Sequence, residues 1–119
     1  MAIADDLRTA ATNALSAGVN AARGQGAALR VDFEALVRPN LEAIVMQIAA
    51  ITDDAVLGNI GAEQAREDLA TQLERIQPLI LGMAELALLA VQIIVNAVLD
   101  AVKAVVNAAT TRAIGIPLL

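Results

Sequence analysis

The chain has 119 residues, a net charge of −5 and no His, Cys, Trp or Tyr. That bounds it to one ordinary domain and removes imidazole bases, thiol nucleophiles and the usual structural zinc ligands. Apolar residues make up 58% of it, about 64% once the seven glycines are counted, against roughly 45–50% in ordinary soluble domains, and mean hydropathy is +0.66.

A folded monomer of 12.3 kDa exposes roughly 6,000 Å². With 18% charged residues there is little polar material to cover it, so some apolar surface is expected to meet protein or lipid.

The first helix is expected from about Ile3 to Arg23, with Leu7, Ala11, Ala14, Leu15, Gly18 and Ala22 on one face and Asp5, Thr9, Thr12, Asn13, Ser16 and Asn20 on the other. Its apolar face is mostly Ala and Gly, which lets another helix approach closely. The run RGQG from Arg23 to Gly26 ends it, because glycine readily takes the left-handed conformation at a helix C-terminus.

Asp32 is the expected N-cap of a second helix, from Phe33 to about Leu57. Phe33, the sole aromatic, is its natural core anchor. Pro39 lies inside this text and is expected to kink or split the helix, since proline removes a ladder hydrogen bond and clashes with the preceding turn. From Ala43 to Ile51 the only polar residue is Gln47, a composition that predicts burial on several sides.

GNIG from Gly58 to Gly61 forms the next turn, and helical patterning then runs from Ala62 to about Ala113, with Pro78 inside it. A kink or break is expected near Gln77. Gly115 and Pro117 stop the helix and leave the apolar tail IGIPLL. No linker or tandem repeat divides the chain, so residues 1–119 are expected to form a single helical domain.

The last helix carries a polar stripe. At ~100° per residue, Glu85, Gln92, Asn96, Asp100, Lys103 and Asn107 fall within about 80° of arc, while every other residue from Glu85 to Asn107 is Ala, Leu, Ile or Val. Glu63, Glu74, Glu85, Asn96 and Asn107 recur every eleven residues, a period that favours straight or slightly right-handed packing over the left-handed heptad supercoil. A polar stripe on a helix this apolar is either solvated or a seam between copies that sets register. Ile116, Leu118 and Leu119 are expected to dock, on their own core or on a neighbouring chain.

The 21 residues from Leu79 to Leu99 carry Glu85 as their only charge and are long enough to span a bilayer. The stripe opposes a lone span, since a central carboxylate costs about 2–3 kcal/mol to insert, and no basic cluster or interfacial Trp or Tyr flanks the segment.

Net charge −5 with scattered basic residues argues against nucleic acid, which requires clustered Lys and Arg. A carboxylate di-iron bundle site needs Glu-x-x-His pairs that cannot be built here. Ser16 is the only serine and Lys103 the only lysine, so a Ser-Lys arrangement would need two distant residues to meet. An apolar small-molecule carrier finds no specific support, because Met46 and Met83 are more often gap fillers than pocket linings. The N-terminus shows two aspartates where a cleaved signal peptide would be basic, so cytoplasmic synthesis or residence in an assembly is the expectation.

The sequence thus predicts an all-α protein of three long helices, the second and third kinked or split at Pro39 and Pro78, forming an oligomeric helical bundle. It is expected to be no enzyme and to hold no metal or cofactor. The predicted role is a self-assembling structural subunit of a virion, filament, tube or shell, partnered by copies of itself and by other assembly subunits. The alternative is a membrane-inserting or lipid-binding protein, pore-forming or holin-like, that uses Leu79 to Ala109.

Overall fold

In the computed structural model the described residues are 3–26, 29, 31–84 and 88–119, with backbone alone for 83, 84 and 88–90. They form helices α1 (Ile3–Gly24), α2 (Phe33–Val56), α3 (Ala62–Leu73), α4 (Ile76–Ala84) and α5 (Leu88–Ile114), with no strand among them. The body measures 45 × 23 × 21 Å, and the 27 residues of α5, about 40 Å at ~1.5 Å per residue, match its long axis.

Glycine ends these helices where left-handed backbone is needed. Gly26, Gly58 and Gly115 have φ of 91°, 79° and 79°. At the end of α2 the Asn59 amide donates to the Asp54 carbonyl at 2.8 Å and the Gly58 amide to the Ala55 carbonyl at 3.2 Å, the paired bonds of a Schellman cap. Asp32 holds the N-cap position of α2 through its backbone, its carbonyl accepting the Leu36 amide at 3.0 Å. Its side chain makes no capping bond, which departs from the expected capping role.

The two prolines behave differently from each other. α2 runs unbroken through Pro39. The hydrogen bond lost there is the one to the Ala35 carbonyl, and Ala35 and Pro39 both lie on the exposed side, where water can satisfy it, while buried Val37 and Leu41 hold both flanks.

The expected third helix does divide near Gln77, between Leu73 and Ile76, and its remainder is described as α4 and α5. Pro78 is the third residue of α4, one of the first positions whose amide has no intrahelical acceptor, so it breaks no bond there. The expectation of three long helices is corrected to that extent.

α1 packs most extensively against α5 and then against α2, and α2 also meets α3, α4 and α5. The core draws Leu7, Leu15 and Val19 from α1, Phe33, Val37, Leu41 and Ile48 from α2, and Val91 to Val106 at helical spacing from α5. α1 and α5 approach each other closely at Gly18. A Cβ there would lie 3.0 Å from the Ile94 Cα and 3.3 Å from the Ala97 Cβ.

Candidate interaction surface

The polar stripe of α5 emerges as three different environments. Gln92 donates its side-chain amide to the Asn96 Oδ1 at 2.8 Å, a bond one helical turn long that ties two stripe residues together within the chain. Asn96, Asp100 and Lys103 are exposed. Asn107 is half-buried, and its Oδ1 accepts the Leu119 amide at 2.8 Å. Glu85 lies outside the described residues.

The Asn107 contact exists because the chain reverses after α5. The Gly115 amide donates to the Thr111 carbonyl at 3.0 Å, the positive φ of Gly115 turns the backbone, and the tail runs back beside the last turns of α5. Leu118 enters the core at 2% exposure and Leu119 packs against its edge, while Ile116 remains exposed. The three tail residues therefore separate, with only Ile116 left free to meet another molecule.

The second surface is the outer side of α2. The segment Ala43–Ile51, expected to be buried on several sides, buries Ile44, Val45, Ile48 and Ala49 and leaves Ala43, Met46 and Ala50 exposed together with Leu36 and Leu57. Within one chain, part of this mostly apolar segment is uncovered, among exposed polar neighbours Asn40, Gln47 and Asp53. Met46 is not the gap filler expected of it. Reading the segment as apolar all round hid this face, although its seven-residue spacing is visible in the sequence.

Other concavities are open grooves. One of 540 Å³ lies between the α3–α4 junction and α5, lined by Leu73, Pro78, Leu81 and Leu99 with Glu74 and Lys103 at its polar side. Another of 640 Å³ lies on the opposite side of Pro78, bordered by Ala43 and Ile44 of α2. Ser16 donates to the Glu34 Oε2 at 3.1 Å, and Arg38 stands 3.7 Å from the same oxygen, so the lone serine is engaged in holding α1 to α2. Lys103 belongs to the groove beside α3 and α4. Among the described residues no three acidic side chains converge as a metal site would need.

Compared with known protein families, with curated proteins and with solved structures, the chain matches none. The surface must therefore be interpreted from its own chemistry: an exposed apolar row on α2 and an exposed amide-and-charge stripe on α5.

Proposed function

We propose that the chain is a non-enzymatic, self-assembling structural subunit of a larger helical assembly, such as a virion, filament, tube or shell component, with copies of itself and other assembly subunits as partners. The observation that carries this reading is the uncovered outer side of α2, where Met46 stands exposed in the nearly all-apolar stretch Ala43–Ile51 and Leu36 and Leu57 stand exposed on either side of it. Soluble helices hide such a surface, and a neighbouring copy is the simplest cover. The exposed stripe of α5, with its amides and one charge of each sign, suits a contact that fixes register rather than one that supplies affinity.

A monomer should be hard to keep. Light scattering across a wide dilution range in detergent-free buffer is expected to show species well above the chain mass of 12.3 kDa at micromolar concentration, with dissociation on dilution. A single monodisperse monomer over the whole range would refute the reading.

The membrane reading keeps one specific observation. Val91–Ile114 is long and apolar enough to cross a bilayer, and only about a third of that stretch is buried within the chain. Against it, the exposed arc is where Asn96, Asp100 and Lys103 sit, whereas Val91, Ile94, Val95, Val98, Val102 and Val106 are buried, with Ile93, Leu99 and Val105 half-buried and Ile114 exposed.

A further inference from the structure

α3 is thinly attached to the rest of the fold. It buries two of its twelve residues, Ala65 and Leu69, against seven of 22 in α1 and nine of 24 in α2, and one of those two is an alanine. Ala62 and Leu73 add half-buried edges, while Glu63, Gln64, Arg66, Glu67, Ala70 and Thr71 face solvent. The helix packs against α2 and touches α4 where the two adjoin. From α5 the α3–α4 junction is separated by the open groove of 540 Å³.

Polar anchoring does not make up the difference. Among the described residues the side-chain hydrogen bonds of α3 stay local: Gln64 donates to Asp68 at 2.9 Å, Thr71 to the Glu67 carbonyl at 3.0 Å, and Arg75, just past its end, to Gln72 at 2.9 Å. α1, by contrast, is tied to α2 through Ser16 and Glu34. Both ends of α3 are joints. At the entry Gly58 has a φ of 79°, and neither it nor Gly61 has an atom within 4 Å of the position a Cβ would take. At the exit Pro78 has no amide with which to carry the hydrogen-bond ladder of α3 into α4.

We propose that α3 is a lid, which detaches from α2 as a unit while the other helices stay packed and so widens the 640 Å³ groove at Ala43 and Ile44 onto the inner side of α2. Thr71 and, at the end of α3, Glu74 form one wall of that groove, and this wall leaves with the helix. α4 does not follow, because Ile76 and Ile80 are fully buried and it packs against both α2 and α5. Segments with little buried apolar contact and solvent-exposed backbone hydrogen bonds open well below the global unfolding free energy. Twelve residues are too few to hold a helix in water unaided, so opening and melting of α3 coincide. The lid is a property of the single chain and does not rest on the self-assembly reading.

Amide hydrogen exchange followed by mass spectrometry separates a lid from a cooperative part of the core. In the wild type, residues 66–73 are expected to be less protected than residues 41–52 and 94–106 by about a hundredfold or more. Gly18→Val supplies a second reading. It presses on Ile94 of α5, a contact present whether the lid is closed or open, so it should speed exchange of 94–106 about fivefold or more and leave 66–73 unchanged. Equal protection of the three segments in the wild type, or acceleration of 66–73 in step with 94–106 in Gly18→Val, would show that α3 opens only with the whole chain and overturn the proposal. Should Gly18→Val fail to fold, the wild-type comparison decides.

Limited trypsin digestion reads the same opening by cleavage. Arg38, Arg66 and Lys103 are all exposed inside helices, in α2, α3 and α5, and a helix must open before a protease can cut it. The wild-type chain is expected to be cut at Arg66 about tenfold or more faster than at Arg38 or Lys103. Comparable rates at the three sites would overturn the lid.

Discussion

At Gly18 a single hydrogen atom separates two helices. A side chain there would press on the Ile94 backbone at 3.0 Å, and main chain in a packed helix yields less readily than the end of a flexible side chain. Gly18→Val is expected to lower unfolding free energy by about 1–3 kcal/mol through overpacking. Gly82, exposed in α4 with nothing within 4 Å of the position a Cβ would take, is the control: Gly82→Ala should raise stability by about 0.5–1 kcal/mol by relieving the entropic cost of a helical glycine. Urea melts of both variants check the pair, and a Gly18→Val midpoint equal to wild type would contradict the close approach of α1 and α5. Asn96 tests the stripe in the same way. It is exposed and already bonded to Gln92, so in an isolated chain Asn96→Leu should change stability by no more than about 0.5 kcal/mol. If the stripe is a contact between copies, the variant should melt higher and populate a wider range of oligomers, because a polar residue at a seam trades stability for register. An unchanged species with an unchanged melting temperature would leave the stripe merely solvated.

The helices themselves turn on where proline falls. Pro39 lies seven residues into α2 and denies the Ala35 carbonyl its donor, whereas Pro78 occupies the first turn of α4, where no donor is required. Pro39→Ala is therefore expected to stabilise the chain by about 1–3 kcal/mol, and Pro78→Ala to change it by less than about 0.5 kcal/mol, as read by thermal melts. Equal effects at both sites would mean that position in the helix does not govern the cost. The same contrast shows why the fold was partly legible in sequence. Helix ends at Gly26, Gly58 and Gly115 could be placed because a positive φ is a local property of one residue. Proline is equally local, but its consequence depends on its offset from a helix start, and the start of α4 at Ile76 carries no capping signal that a reader could find. The stripe of α5 was visible because polar residues are rare there. The outer face of α2 was not, because Ala43 to Ile51 offers apolar residues in every direction and only the arrangement of α1, α3, α4 and α5 decides which of them are covered. The tail was half legible: its apolar residues announced docking, but the reversal at Gly115 that buries Leu118 and leaves Ile116 outside brings the Leu119 amide to Asn107, twelve residues before it, a long-range pairing that local sequence does not display.

For the molecule as a whole, the surface is that of an ordinary monomer, 6250 Å² against the roughly 6,000 Å² expected for this mass. The helices therefore close on one another to the usual extent, and a partner acts on the apolar side chains that still stand exposed, such as Leu36, Met46, Leu57 and Leu81. This bears directly on lipid. To insert α5, the chain would have to withdraw Val91, Ile94, Val95, Val98, Val102 and Val106 from their own core, leaving the apolar faces of α1 and α2 that pack against α5 exposed to water, and turn Asp100 toward hydrocarbon. A net charge of −5 also withholds the electrostatic attraction that draws basic helices to anionic membranes. The purified protein is therefore expected to remain in the soluble fraction when floated with neutral or anionic vesicles, and to release no trapped dye. The exposed row on α2 makes this a demanding test, since it is a surface able to bind lipid without unfolding the core. Surface adsorption through α2 would bring the protein up with the vesicles but leave them sealed, whereas insertion of α5 would also leak dye. Binding at neutral pH with leakage that rises with protein concentration would place the membrane reading ahead of assembly.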